Sequence, residues 1–108
     1  MGNKYMTYKE NIQNLLECAA MHKLRGTEYR VLIYLIAQLS FDEYRCIDRY
    51  RLCTDLEIKK SNLAYSIQNI IDAGFLLVIK ATAHGKNLRF KLPKSDDLPI
   101  CSYFDYMI

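Results

Sequence analysis

The stretch RLCTDLEIKKSNLAYSIQNIIDAGFLLVIKATAHGKNLRFKL, residues 51–92, decides how this chain folds. Leu52, Leu56 and Ile58 fall on the inner side of a short helix and the turn behind it, and Leu63, Ile67, Ile70 and Ile71 recur at helical spacing directly afterwards. A helix, a tight turn and a second helix are expected. Gly74 follows Ala73 where the second helix must stop, because glycine takes a left-handed cap that other residues resist. From Phe75 to Ala81 and from Leu88 to Leu92 the pattern becomes that of two strands around a loop holding His84, Gly85, Lys86 and Asn87. The second arm alternates Leu88, Phe90 and Leu92 with Arg89 and Lys91, one face buried and one charged. The first, FLLVI, is apolar throughout and is expected in the interior on both sides. Pro93 ends the hairpin.

Upstream, Thr7 to about His22 places Tyr8, Ile12, Leu15, Leu16 and Ala19 on one side of a helix and Lys9, Glu10, Gln13 and Glu17 on the other. Thr7 with Glu10 three places later is the pattern of a capping box. This helix can cover the core of its own chain or serve a dimer contact. Thr27 is expected to cap a second helix, with Glu28 in its first turn. From Tyr29 to Leu39 that helix is apolar almost all round, as befits the centre of a fold. Turn chemistry follows at Ser40 to Tyr44. Arg45 to Ile47 reads as a short extended piece able to pair with the hairpin, and Asp48 as the cap of the next helix. After Pro93 a turn-rich linker leads to an apolar end, Ile100, Tyr103, Phe104, Tyr106, Met107 and Ile108, that should pack on its own domain or, as the favoured reading, on a second copy. The chain thus divides into an N-terminal helix and connector, residues 1–26, a core, residues 27–93, and a tail, residues 94–108.

At 108 residues, 51% hydrophobic and 25% charged, the chain suits one folded domain and gives no sign of disorder. No apolar run approaches the roughly 18 residues that span a bilayer, so a cytoplasmic protein without membrane contact is expected. Cys18, Cys46, Cys53 and Cys101 form no CxxC pair, and His22 and His84 lie at no metal-ligand spacing from them. Isolated thiols, no metal and no cofactor are the reading. There is no GxSxG, no HExxH and no phosphate-cradling glycine loop, which disfavours an enzyme. Net charge is only +3, but its distribution is uneven. Residues 59–93 carry Lys59, Lys60, Lys80, Lys86, Arg89 and Lys91 against Asp72 alone, a balance of +5. Residues 27–58 and the tail after Pro93 each come to −2. Positive charge therefore gathers on the second helix of the pair and the hairpin, as a phosphate-facing surface requires.

The run LCTDLEIKKSNLAYSIQNIIDAGFLLVI resembles the winged helix-turn-helix proteins of bacteria and their mobile elements, such as the MarR-like regulators and the plasmid replication proteins of the RepL type. TEYRVLIYLIAQL resembles the central helix that precedes their motif. The likeness covers residues 27–92 and rests on apolar spacing and Gly74. It implies a fold that is mainly α with a small β-hairpin wing. Two positions depart from the pattern: Glu57 stands where the turn usually has glycine, and Lys59 stands at the usual Ser or Thr cap. A looser turn, or a cap moved to Ser61, is the expected consequence.

With Leu63, Ile67 and Ile70 facing inward, the outward face of the recognition helix holds Lys60, Ser61, Asn62, Tyr65, Gln68 and Asn69, with Lys59 at its start. In a helix-turn-helix the first turns of this helix reach base edges in the major groove. Asn62 and Gln68 carry amides that can grip adenine, Lys60 suits guanine or phosphate, and Ser61 and Tyr65 suit the backbone. On the wing, Lys86 and Arg89 suit phosphates or a minor groove, with His84 and Asn87 at the tip. The expected function is sequence-specific binding of double-stranded DNA as a small transcriptional regulator. A plasmid or phage replication or partition factor is an alternative within DNA binding, and a winged-helix protein-interaction module is one outside it. As a homodimer the protein would set two recognition helices about 34 Å apart over an inverted repeat.

Overall fold

The helix that begins at Lys60 buries one side and ends in a local motif that the sequence dictates. In the computed structural model, which describes residues 7–80 and 88–99, the helices are α1 (Tyr8–Met21), α2 (Gly26–Gln38), α3 (Arg49–Leu56) and α4 (Lys60–Asp72). Strands β1 (Leu77–Lys80) and β2 (Leu88–Lys91) follow, then a 3-10 turn at Ser95–Asp97. The protein is mainly helical with a small two-stranded antiparallel sheet. At the end of α4, Gly74 adopts φ +90 and donates its N–H to Ile71 O at 2.9 Å, while Phe75 N–H reaches Ile70 O at 3.1 Å. These paired bonds close the last carbonyls of the helix, and the buried Phe75 and Ile70 supply the apolar contact that accompanies them. Any side chain at Gly74 would also meet Pro99, whose ring atoms lie 3.2 Å from an added Cβ.

One core unites all the elements. Leu15, Cys18 and Ala19 of α1, Val31, Leu32 and Leu35 of α2, Leu52 of α3, Leu63, Ile67 and Ile70 of α4, and Phe75, Leu76, Phe90 and Leu92 around the hairpin form a single buried cluster. In the hairpin Val78 pairs with Phe90 and Ile79 with Arg89. On its other edge β2 meets Arg45, whose N–H and C=O bond to Phe90 at 2.8 and 2.7 Å, and Leu92 N–H reaches Ser40 O at 2.9 Å. The extended piece at Arg45 therefore does flank the hairpin.

Local chemistry accounts for the helix starts. Glu10 N–H donates to Thr7 Oγ1 and Thr7 N–H to Glu10 Oε1, both at 3.1 Å, completing the capping box. Those bonds hold the Glu10 carboxyl below its usual range, the Thr7 backbone first and its hydroxyl second. Asp48 accepts from Arg51 N–H at 3.0 Å.

Several expectations fail, each for a tertiary reason. The cap of α2 lies two residues earlier than the expected Thr27: it is Arg25, because the Glu28 carboxylate reaches back to its N–H at 2.9 Å. The buried face of α1 is Asn11, Leu15, Cys18 and Ala19, whereas Tyr8 and Leu16 are exposed. The polar Asn11 is covered because Ser95 donates to its Oδ1 through both N–H and Oγ, each at 3.0 Å, and Asn14 donates to Ser95 Oγ at 2.7 Å. Residues 94–99 are thus packed on α1 and are no linker; residues 100–108, the apolar end, lie outside the described residues. In α2, Ile33 is exposed, so that helix is not buried all round. In the first hairpin arm only Phe75 and Leu76 are buried, and Ile79 faces solvent beside Arg89. Cys46 and Cys53 are free thiols, but Cys18 is disulfide-bonded, since distance along the sequence does not report distance in the fold. Among the described residues no helix is long and apolar enough to cross a membrane, and no group of three His, Cys, Asp or Glu side chains is placed to hold a metal ion.

Candidate nucleic-acid interface

The outward side of α4 is set by the joint that precedes it. Helix α3 ends at Glu57, which takes a left-handed conformation (φ 55, ψ 50), the single non-glycine residue to do so among the described residues. Ile58 N–H closes onto Cys53 O at 3.1 Å. Helix α2 grips the same joint: Arg30 Nη2 donates to Leu56 O at 2.9 Å, and the Tyr34 hydroxyl donates to Asp55 Oδ2 at 2.6 Å. That hydrogen bond to Asp55 raises the Tyr34 phenol above its usual range, with burial and the Asp55 charge adding to it. The turn is therefore not loosened by the missing glycine. Nor does the cap move to Ser61. Lys59 remains the cap residue with no side-chain acceptor, and Leu63 N–H makes the first helical bond to Lys59 O at 2.9 Å.

From that start, Lys59, Lys60, Ser61, Asn62, Tyr65 and Gln68 are all exposed, while Leu63, Ser66, Ile67 and Ile70 are buried on the opposite side. Lys59, Lys60, Lys80 and Arg89 form no ion pair with an acid among the described residues. By contrast Arg45 is paired with Glu43, Arg51 with Asp55 and Lys94 with Asp42. Lys91 lies over the Tyr44 ring at 4.9 Å. Arg89 is exposed on β2, opposite the face that buries Phe90. His84, Lys86 and Asn87 lie outside the described residues.

Comparison with protein-family models, curated proteins and solved structures finds no match.

Two of the expected reading residues are otherwise engaged. Asn69 is half-buried, and its Nδ2 donates to Glu28 Oε2 at 2.6 Å. It is a strut between α4 and α2 and not a free amide on the outward face. Gln68 is exposed, yet its Nε2 donates to Asp72 Oδ1 at 2.9 Å, one turn along the helix. The freely presented side chains are thus Lys59, Lys60, Ser61 and Asn62 in the first turn, with the exposed Tyr65 one turn on.

Glu28 and Arg25 complete the site although no periodicity marks them as part of it. Glu28 is 3% exposed and lies just beneath the surface. Burial pushes its carboxyl upward, but the Arg25 N–H, the Asn69 amide and the Arg25 charge together outweigh it and hold the pKa below the ordinary carboxylate value. The Arg25 guanidinium sits 5.6 Å from the centre of the Tyr65 ring. Both residues were missed for one reason: their partners are on α4, some forty positions away, as the 28–69 hydrogen bond spans 41.

Proposed function

We propose that this chain binds double-stranded DNA as a winged helix-turn-helix, with α4 as the recognition helix in the major groove and the β1–β2 hairpin as the wing. The observation that carries this reading is the first turn of α4. It presents Lys59, Lys60, Ser61 and Asn62, exposed and unpaired with any acid among the described residues, on a helix start that lacks a side-chain cap. Unpaired helix N–H groups and ammonium groups together attract an anion, and a serine hydroxyl and an amide beside them can read what lies behind it. Arg89 on the hairpin supplies a second phosphate contact. Asn62 is the residue for adenine, Lys60 for guanine or phosphate, and Ser61 and Tyr65 for the backbone. The protein acts as a regulator of transcription by occupying its site as a homodimer, with two α4 helices about 34 Å apart on an inverted repeat.

Binding to a random duplex over a salt series tests the surface. Wild type is expected to bind in a strongly salt-sensitive way, and the triple variant Lys60→Ala, Asn62→Ala, Arg89→Ala to lose that binding while remaining folded. Unchanged binding by the folded triple variant shows that the surface is wrong, and no binding by wild type at low salt shows that the function is.

A further inference from the structure

Resting on the DNA-binding reading, we infer that Arg25 is a positioning residue for base recognition: its backbone is tied to the buried Glu28 carboxylate, and its guanidinium, lying over the Tyr65 ring, fixes that ring on the outward face.

Two parallel contacts join α2 to α4. Asn69 donates to Glu28 Oε2 at 2.6 Å, and Tyr65, one turn earlier on the same side of α4, meets the Arg25 guanidinium at 5.6 Å. Arg25 and Glu28 are themselves tied, because the Arg25 N–H donates to Glu28 Oε1 at 2.9 Å. The buried carboxylate thus sets the register of both contacts. The connector that delivers Arg25 is also held: Leu24 N–H reaches the Tyr29 hydroxyl at 3.3 Å, and that hydroxyl lies against the carbonyl oxygens of Ala19 and His22. Arg25 is therefore fixed at its backbone on both sides while its charged group remains at an exposed position.

Tyr65 is 55% exposed and lies one turn beyond Ser61 and Asn62 on the outward face. An unsupported tyrosine there would sample several rotamers and give up entropy on docking. A flat guanidinium over its face removes part of that freedom beforehand. Lysine provides the charge but not the plane. Through the ring, whose contact with the DNA backbone sets the register of α4 for Lys60 and Asn62, Arg25 therefore acts on selectivity more than on attraction to phosphate.

The test uses the full chain, a duplex selected by the protein from a random pool, and an unrelated duplex of equal length. Arg25→Ala and Arg25→Lys are expected to lower the ratio of specific to unrelated binding roughly two- to fivefold, the range that an exposed cation–π contact implies. Arg25→Lys should leave the salt slope unchanged. In a Tyr65→Leu background, Arg25→Lys should cause no further loss of selectivity. Rescue by Lys, or a loss equal on both duplexes with the salt slope of Arg25→Ala reduced by about one, makes Arg25 a simple phosphate contact and overturns the inference. Additive losses in the Tyr65→Leu background overturn it too. Circular dichroism melts check that each variant folds, and Arg25→Lys carries the test where Arg25→Ala does not. Should wild type fail to distinguish the two duplexes, the DNA-reading proposal falls and this inference with it; wild-type selectivity with unaffected Arg25 variants refutes the inference alone.

Discussion

Asn69→Ala separates a structural amide from a DNA-reading one. The change removes the 2.6 Å hydrogen bond to Glu28 and leaves that carboxylate, 3% exposed, with the Arg25 N–H as its remaining neutral donor. Hydrogen bonds to charged groups contribute about 1.5–3 kcal/mol, and because Glu28 is covered only shallowly the lower end applies, about 1.5–2 kcal/mol. For a domain of this size that is a fall in melting temperature of roughly 7–9 °C. The pH dependence gives a second reading of the same bond. Glu28 has a lowered pKa in the folded protein, so its stabilising effect is present above the unfolded carboxyl value and is lost as pH falls through the folded one. Asn69→Ala weakens that lowering, so the gap to wild type should be widest near neutral pH and shrink below about pH 4. Thermal and urea unfolding at several pH values measure both effects. An unchanged melting temperature together with a lost preference between duplexes would show that Asn69 reads bases and that the strut to α2 is wrong.

Other expectations follow from backbone geometry and charge. Glu57→Gly relieves a left-handed residue at the α3–α4 joint and should raise stability by up to about 1 kcal/mol, read as a higher urea midpoint; a lower midpoint contradicts the account of the turn. Gly74→Ala places a Cβ at φ +90 and 3.2 Å from Pro99 atoms, and should lower stability by at least about 1 kcal/mol; a neutral result means that the α4 end is not held as described. Glu28→Gln should be less stable than wild type at pH 7 and converge with it as pH falls below about 4; parallel curves rule out a Glu28 contribution. Lys60→Ala should reduce the salt slope of duplex binding by about 0.9 if Lys60 faces a phosphate, whereas an unaltered slope with lost base preference places it on guanine.

How legible this molecule was depended on the range of each interaction. The Thr7 capping box, the Asp48 cap and the Gly74 helix end are closed by residues within a few positions, and the sequence announces them. The order of four helices and a hairpin follows from apolar periodicity, which also selected Leu63, Ile67 and Ile70 as the inner side of α4. Polar burial was not legible. Asn11 is covered by Ser95, and Asn69 by Glu28, through contacts between elements that no window along the chain contains. Exposed apolar residues failed for the matching reason: Leu16, Ile33 and Ile79 fit the periodic pattern, but the described elements leave those positions uncovered. Part of the candidate reading surface was therefore visible in advance. Lys60, Ser61 and Asn62 stand free as expected, whereas the sequence hides that Gln68 and Asn69 are engaged and that Arg25 joins Tyr65.

The most direct measurement is selection of bound duplexes from a random pool by the wild-type protein, sequenced over successive rounds. DNA recognition by α4 in a dimer predicts enrichment of an inverted repeat with half-sites about one helical turn apart, and loss of preference at one position per half-site on Asn62→Ala. A pool that stays random through every round, at salt low enough for binding, contradicts it.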